Sequence, residues 1–267
     1  MISVIIVQYN KVELTQQAIR SFQHFHRDEH EIILVDNAST DPALGTLKEE
    51  FPWIQIIFNK KNVGFGAANN IGAKIAKGDI LLFLNNDTLT ISQFTTMIER
   101  EFLQNPAMGV LGPRLLNEDR SFQLSAGSLP TFFGEIGQKM IYDWVESRNK
   151  IAERYVQKKY RREQTVGWVT GAALFIRREL FIRLGGFDET MFMYFEDIDL
   201  CLRAGRESTV LYFPESFLVH LKGGSAAGKS HVNKIYRQSQ LRYYEKHRPF
   251  FERLLLMLYL RLSSKIP

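Results

Sequence analysis

Gly78-Asp79-Ile80-Leu81-Leu82-Phe83-Leu84-Asn85-Asn86-Asp87 is the segment from which the architecture can be read. Its apolar residues, Ile80 to Leu84, leave no polar face, so they form a strand buried on both sides, as in a parallel sheet. The run then breaks into two amides and a carboxylate, where the chain turns away from the core. In open α/β sheets, ligands gather beyond the carboxyl ends of the strands. A carboxylate there can hold a hard cation, and the cation a diphosphate. Capping a following helix is the plainer use of Asp87, and the segment alone does not choose between the two.

Upstream, Ile2 to Val7, Glu31 to Val35 and Ile54 to Phe58 are further short β-rich runs. Between the first two, Leu14, Ala18, Phe22 and Phe25 recur at helical spacing behind an Asn10…Glu13 pair that resembles a capping box. Asp41-Pro42 opens a second helix, with Leu44, Leu47 and Phe51 on one face. Ala67 or Ala68, Ile71 and Ile75 mark a third, stopped by Gly78. Strands alternating with helices of this length predict βαβ units and an α/β fold around a mostly parallel sheet.

Downstream the pattern weakens. Ile91 to Leu103 reads as helix, Gly109 to Leu116 and Ser121 to Ala126 as strands, and Val166 to Ile176 as strand again. Asp197 to Ala204 reads as helix and Thr209 to Phe213 as strand, while Thr131 to Arg162 mixes aromatic and charged residues without a clean period. From Ser230 onward the chain reads as helix. No repeat or low-complexity linker divides it, so one domain over 1–228 with a helical tail over 229–267 is expected.

The 267 residues, 45% hydrophobic and 24% charged, suit a folded chain with a substantial core. A single cysteine, Cys201, excludes an internal disulfide and suits a reducing cytoplasm. No basic leader precedes the first strand, and the apolar stretch Leu254 to Leu260 is too short to span a bilayer. The net charge of +5 gathers at Lys158-Lys159-Tyr160-Arg161-Arg162 and from Lys229 to Arg253. Such a surplus suits anionic lipid or phosphorylated substrates, and no common nucleic-acid motif accompanies it.

Polar clusters sit at the ends of three runs: Gln8-Tyr9-Asn10, Asp36-Asn37-Ala38-Ser39 and Asn85-Asn86-Asp87. Parallel pairing would bring them to one sheet edge, where a ring, amides and carboxylates could grip a nucleoside. Asn62-Val63-Gly64-Phe65-Gly66 opens the third helix, where glycine admits close backbone approach and a helix start suits an anion. Asn69 stands where a dinucleotide fingerprint needs its third glycine, which weakens a dehydrogenase reading. Glu196, Asp197 and Asp199 repel one another within four positions unless a cation or reactant uses them. Asp199 and Arg203 have the spacing of a helix ion pair, whereas Asp197, near the helix start, could act as a general base. His220, ahead of Lys222-Gly223-Gly224, could join Asp87 on a metal.

These motifs, in this order from Ser3 to Ser225, resemble the family 2 glycosyltransferases of GT-A fold, and the bacterial rhamnosyltransferase-like members in particular. The resemblance rests on Val-Gln-Tyr-Asn at 7–10, Val-Asp-Asn-Ala-Ser at 35–39, Asn-Val-Gly-Phe-Gly at 62–66 with Asn70, and Asn-Asn-Asp at 85–87. It continues in Gly-Ala-Ala at 171–173, Phe-Glu-Asp-Ile-Asp at 195–199, and His220. It implies a nucleotide-binding half at 1–90 and an acceptor half at 91–228. By resemblance, Val7, Tyr9, Asn10, Asp36, Asn37, Gly64, Asn70 and Asn86 bind the nucleotide sugar, with Tyr9, Asp36 and Asn37 at the base and Asn86 at the ribose. Asp87 and His220 hold Mg²⁺ or Mn²⁺, Asp197 is the catalytic base, Trp168, Gly171 and Glu196 are placed with the acceptor, and Lys222 with its glycines makes a phosphate-facing loop.

Two positions depart from the family pattern. The D-x-D metal motif reads Asn85-Asn86-Asp87, with one carboxylate, and Asn37 replaces a common Asp, its amide able to accept from a pyrimidine N3–H. The Q-x-x-R-W signature of processive synthases is absent.

The implied activity is inverting, metal-dependent, non-processive transfer of one sugar, rhamnose or another hexose. The donor is dTDP- or UDP-linked, and the acceptor a saccharide or lipid-linked saccharide in cell-surface polysaccharide synthesis. The basic tail could rest on the inner face of the plasma membrane, on the domain, or on a second copy as a homodimer. A catalytically silent sugar-nucleotide binder and a nucleotidyltransferase are the alternatives. The latter lacks a Gly-rich, basic loop after the first strand.

Overall fold

The computed structural model describes residues 1–26, 30–147, 149–221 and 229–262. The first half alternates as expected: β1 (Ile2–Gln8), α1 (Val12–Phe25), β2 (Glu31–Asp36), α2 (Leu44–Glu50), β3 (Gln55–Phe58), α3 (Phe65–Ile75) and β4 (Ile80–Asn85). These strands pair in parallel in the order β3-β2-β1-β4, with Val7 opposite both Val35 and Asn85. The polar strand ends therefore share one edge.

Side chains of β4 alternate between two cores. Leu82 and Leu84 pack with Val4, Ile6, Ile19 and Phe22 on one face; Leu81 and Phe83 pack with Ile5, Val35 and Phe187 on the other. A strand with apolar cover on both sides needs no polar face, which is why its sequence shows no alternation.

Two local expectations fail. The helix α1 has no capping box: Asn10 and Lys11 are left-handed (φ 51° and 74°), and Asn10 Oδ1 instead accepts from Thr40 N at 2.8 Å. Asp41 Oδ2 accepts from Val12 N at 3.1 Å, so the cap comes from the next connection. The helix α3 buries not Ile71 and Ile75 but the small face of Gly66, Ala67, Ala68, Gly72 and Ala73. A Cβ on Gly72 would stand 2.6 Å from Ile5 Cγ2, so close packing on the sheet selects small residues over large apolar ones.

The second half is β5 (Thr88–Thr90), α4 (Thr95–Gln104), β6 (Met108–Leu116), β7 (Phe122–Gln123), β8 (Ala126–Gly127), α5 (Phe132–Glu146) and α6 (Lys150–Lys159). There follow β9 (Gln164–Thr165), β10 (Trp168–Val169), β11 (Ala173–Arg177), α7 (Arg178–Arg183), α8 (Glu196–Ala204), β12 (Thr209–His220), α9 (Lys229–His247) and α10 (Phe250–Leu262). The sheet continues β4-β11-β6-β12-β5, with β11 antiparallel to both neighbours and β12 parallel to β6. The run read as one strand over 166–176 is broken at Thr170-Gly171-Ala172, and that break borders the site. Residues 229–262 form α9 and α10, whose Tyr243, Tyr244, Leu256 and Leu260 build a third core with Met191 and Phe195.

Candidate functional site

A cavity of about 960 Å³ opens along the carboxyl edge of β1 and β4. Val7, Tyr9, Asn10, Asn37, Gly64 and Asn86 line it from the first half of the chain. Asp87 follows Asn86 there, and Trp168, Gly171, Glu196, Asp197 and His220 line it from the second half. Residues 87, 197 and 220, far apart in sequence, thus border one space. Lys222 lies outside the described residues.

Two expected contacts belong to the scaffold instead. Asp36 does not line the cavity: its carboxylate accepts from Gln8 Nε2 at 3.2 Å and Ser39 N at 3.1 Å, fixing the turn after β2. Asn70 is also off the cavity, with Oδ1 accepting from Phe187 N at 2.9 Å and Nδ2 donating to Phe187 O at 2.9 Å. It ties α3 to the loop that leads to α8.

Asn37 lines the cavity, but its amide is fully engaged. Oδ1 accepts from Val63 N at 3.0 Å and Asn59 Nδ2 at 3.1 Å; Nδ2 donates to Asn62 Oδ1 at 2.8 Å and Gly64 O at 3.2 Å. An amide offers two lone pairs and two N–H groups, so none remains for a pyrimidine N3–H, and Asn37 instead shapes the 59–64 loop. Gly64 (φ 89°) serves a close approach within the protein: a Cβ there would stand 2.4 Å from Phe192 O. Phe65 N donates to that same carbonyl at 2.8 Å, joining the start of α3 to the loop before α8.

Backbone register brings Asp87 to His220. Thr88 pairs with His220 across β5 and β12, and Leu221 N donates to Asp87 O at 2.9 Å. His220 Nε2 then stands 3.1 Å from Asp87 Oδ1. A chain of bonds selects the imidazole tautomer. Asn117 Nδ2 donates to the Phe122 carbonyl at 3.4 Å, so Asn117 Oδ1 is an acceptor, reached by Gln123 Nε2 at 2.9 Å. Gln123 Oε1 therefore accepts from His220 Nδ1–H at 2.8 Å. Nε2 keeps its lone pair, in keeping with Asn85 Nδ2, a donor only, at 3.4 Å from it.

The helix α8 starts from strained backbone. Tyr194 and Phe195 are both left-handed (φ 70° and 65°), which costs about 1–3 kcal/mol each and is held by the third core. Asp197, one residue into the helix, accepts from Gly171 N and Ile198 N, each at 2.8 Å. Burial raises its pKa despite those donors. Glu196, 4% exposed, is raised well above the ordinary range by burial and by the Asp197 carboxylate. Of two adjacent carboxyls, the one bonded by N–H groups keeps the charge and the other the proton. Asp197 is thus the ionised member and Glu196 the neutral one.

Asp199 does more than the expected helix pairing with Arg203 (2.6 Å). Fully buried, it also meets Lys246 at 3.0 Å and His247 at 2.6 Å, tying α8 to α9. The outer wall of the cavity comes from α5 and α9 through Glu135, Gln138, Tyr142 and Tyr236. Gln123 and Glu135 carried no motif in the sequence; only the fold brings them to the site.

The profile described as Glycosyl transferase family 2 matches residues 3–200. An N-acetylglucosaminyl-diphospho-decaprenol L-rhamnosyltransferase of Mycobacterium tuberculosis is 27% identical over 231 residues, 81% of this chain and 75% of that protein. Rhamnosyltransferase WbbL of Escherichia coli is 26% identical over 231 residues, 81% of each chain. Among solved structures, mannosyltransferase PcManGT from Pyrobaculum calidifontis, in complex with GDP-Man and Mn²⁺, aligns with a TM-score of 0.62 at 19% identity, over 92% of this chain and 63% of that one. GalNAc-T7 with UDP, GalNAc and Mn²⁺ aligns at 0.65 and 18% identity, over 90% of this chain and 48% of that one. At such identities the structural likeness shows the fold, which is GT-A.

Proposed function

The chain belongs to glycosyltransferase family 2 and is a glycosyltransferase; from that premise we propose that it moves one hexose, rhamnose among the candidates, from a dTDP- or UDP-linked donor to a saccharide or lipid-linked saccharide acceptor, with inversion and with a divalent cation. The observation that carries this reading is the shared cavity of Asp87, His220 and Asp197.

The donor set fits a hard divalent cation. The 3.1 Å separation of Asp87 Oδ1 and His220 Nε2 is about the edge of an octahedral shell, roughly 3 Å for ligands at Mg²⁺-like distances. Gln123 keeps the Nε2 lone pair available. No group of three or more His, Cys, Asp or Glu that could hold a metal ion is found among the described residues, so Asp87 and His220 would share Mg²⁺ or Mn²⁺ with diphosphate and water. When bound, the cation neutralises charge developing on the leaving diphosphate.

Asp197 is the base. Its carboxylate takes the proton of an acceptor hydroxyl as that oxygen bonds to the anomeric carbon, while the bond from that carbon to the diphosphate breaks and its electron pair leaves with the nucleotide. The two backbone N–H groups hold the carboxylate ionised and aimed, and burial raises its basicity. Asp197→Asn should lower turnover by about 10²–10⁴-fold, the usual weight of a general base, and leave nucleotide binding near wild type. Retained turnover in that variant would remove the assignment. The wild-type rate should fall as pH drops through the raised Asp197 pKa, above the ordinary Asp value. A catalytically silent binder would instead bind UDP or dTDP equally well and hydrolyse no donor with any metal.

A membrane-borne acceptor is favoured by the outer faces of α5 and α10, where Phe133, Ile136, Met140 and Trp144 lie exposed beside Phe250, Phe251, Leu254 and Leu258. No described helix is long and apolar enough to cross a membrane, so contact would be at the surface.

A further inference from the structure

Three polar side-chain atoms on the acceptor side of the cavity are buried with no hydrogen-bond partner: Glu135 Oε1, Trp168 Nε1 and Glu196 Oε2. Isolated orphans of this kind are costly, and several bordering one cavity mark the place of a ligand. Glu196 is more than nine-tenths buried and stands beside the base. Glu135 enters from α5, opposite α8, and its other oxygen accepts from Gln240 Nε2 on α9. Burial raises the Glu135 pKa to about 7 against the Gln240 bond, the Arg237 charge and the Tyr244 hydroxyl, which all lower it. Trp168 Nε1 lies against Gly127, where a Cβ would stand 3.0 Å from it.

Resting on the glycosyl-transfer reading, we propose that Glu135, with Trp168 and Glu196, forms the subsite that selects an uncharged acceptor sugar by its hydroxyl groups, Glu135 being the specificity-determining residue. The set supplies what a polyol requires: carboxyl oxygens to accept from sugar hydroxyls and an indole N–H to donate to a sugar oxygen. Among the described lining residues this end carries the ionised Asp197 carboxylate and no Lys or Arg, so a uronic acid would meet like charge. Arg237 stands behind, donating to Gln240 Oε1 at 2.6 Å, outside the lining. A polar pocket that loses one such partner rejects its ligand strongly, because the remaining groups stay unpaired.

The test uses the full chain with UDP or dTDP and Mn²⁺, and octyl glycosides as probes: the rhamnoside, glucoside and N-acetylglucosaminide as neutral sugars, and the glucuronide as the anionic one. Calorimetry should find a neutral glycoside bound by the wild type, weakened about tenfold or more in Glu135→Gln and several-fold in Trp168→Phe. The glucuronide should bind less well than its glucose counterpart. Nucleotide affinity should be unchanged in both variants, which a merely structural role for Glu135 would not predict. Glu135→Gln preserves shape and the bond to Gln240; should its melting temperature fall, Trp168→Phe carries the comparison. Equal glycoside affinity in wild type and variants, preference for the glucuronide, or no neutral glycoside bound would overturn the subsite while leaving the transferase reading intact. Failure of the wild type to bind either nucleotide would overturn both.

Discussion

At the scale of single residues, the proposed cation pair of Asp87 and His220 depends on a glutamine that no motif announces. Gln123 accepts from His220 Nδ1–H, and without that bond the imidazole is free to turn or to present a protonated Nε2 to Asp87. Gln123→Leu should therefore weaken Mn²⁺ binding about 10–100-fold, the usual consequence of losing such a partner. Gln123→Glu, which still accepts from Nδ1–H, should restore most of it. Mn²⁺ titration followed by electron paramagnetic resonance reads both variants, and equal affinity across wild type and Gln123→Leu would refute the tautomer argument. The sequence made Asp87, His220 and Asp197 legible because each sits at a strand end or helix start beside other polar residues. It could not show that Asp36 and Asn37 serve the scaffold, because an amide that binds a ligand and one that pins a loop have the same composition and spacing.

Among the elements, legibility followed burial pattern. The strands β1, β2 and β4 were readable since apolar cover on both faces writes an uninterrupted hydrophobic run. The helix α5 was not, because its pattern is inverted: Glu135 and Gln138 face the cavity, while Phe133, Ile136, Met140 and Trp144 at helical spacing face outward. The three-residue strand β5 gave no periodic signal, yet its register with β12 brings Asp87 beside His220. The joint between α8 and α9 also depends on chemistry that spacing revealed only in part. Burial pushes the Asp199 pKa up, but the Arg203 charge and bonds from His247 and Lys246 outweigh it and hold the carboxyl below its ordinary value. Asp188 behaves alike, brought to about 2 by Lys246 and Thr190 against burial. A lowered carboxylate stabilises the fold above the unfolded-state pKa, near 4, and that contribution is lost as pH falls through the folded value. Asp199→Ala, which strands Arg203 and His247 beside each other, should cost about 3 kcal/mol at neutral pH. It should also flatten the loss of stability below about pH 4. Urea unfolding across that range measures both effects, and a neutral-pH change within about 0.5 kcal/mol would show that the joint does not depend on this charge.

For the whole molecule, one helix connects the cavity to the surface around it. The helix α5 is shared: one side lines the cavity, the other carries exposed apolar residues, and Glu252 of α10, a helix with exposed apolar residues of its own, accepts from Phe132 N at 3.0 Å. Basic side chains are exposed on the adjoining helices: Arg154, Lys158 and Lys159 on α6, packed on α5, and Lys234 on α9, packed on α10. Apolar side chains between basic borders match an anionic bilayer better than a second copy, whose own basic borders would repel. Each large apolar side chain withdrawn from water contributes about 1.5–3 kcal/mol, so replacing two by Glu should weaken binding by more than about tenfold. The full chain should co-sediment with phosphatidylglycerol vesicles, less with purely zwitterionic ones, and less again as salt rises. The pairs Phe133→Glu with Met140→Glu, and Leu254→Glu with Leu258→Glu, should each release it while leaving nucleotide binding unchanged. Wild-type chain that stays in the supernatant but forms a dimer abolished by these same pairs would assign the face to self-association. In that case a lipid-linked acceptor would need another route to the mouth of the cavity.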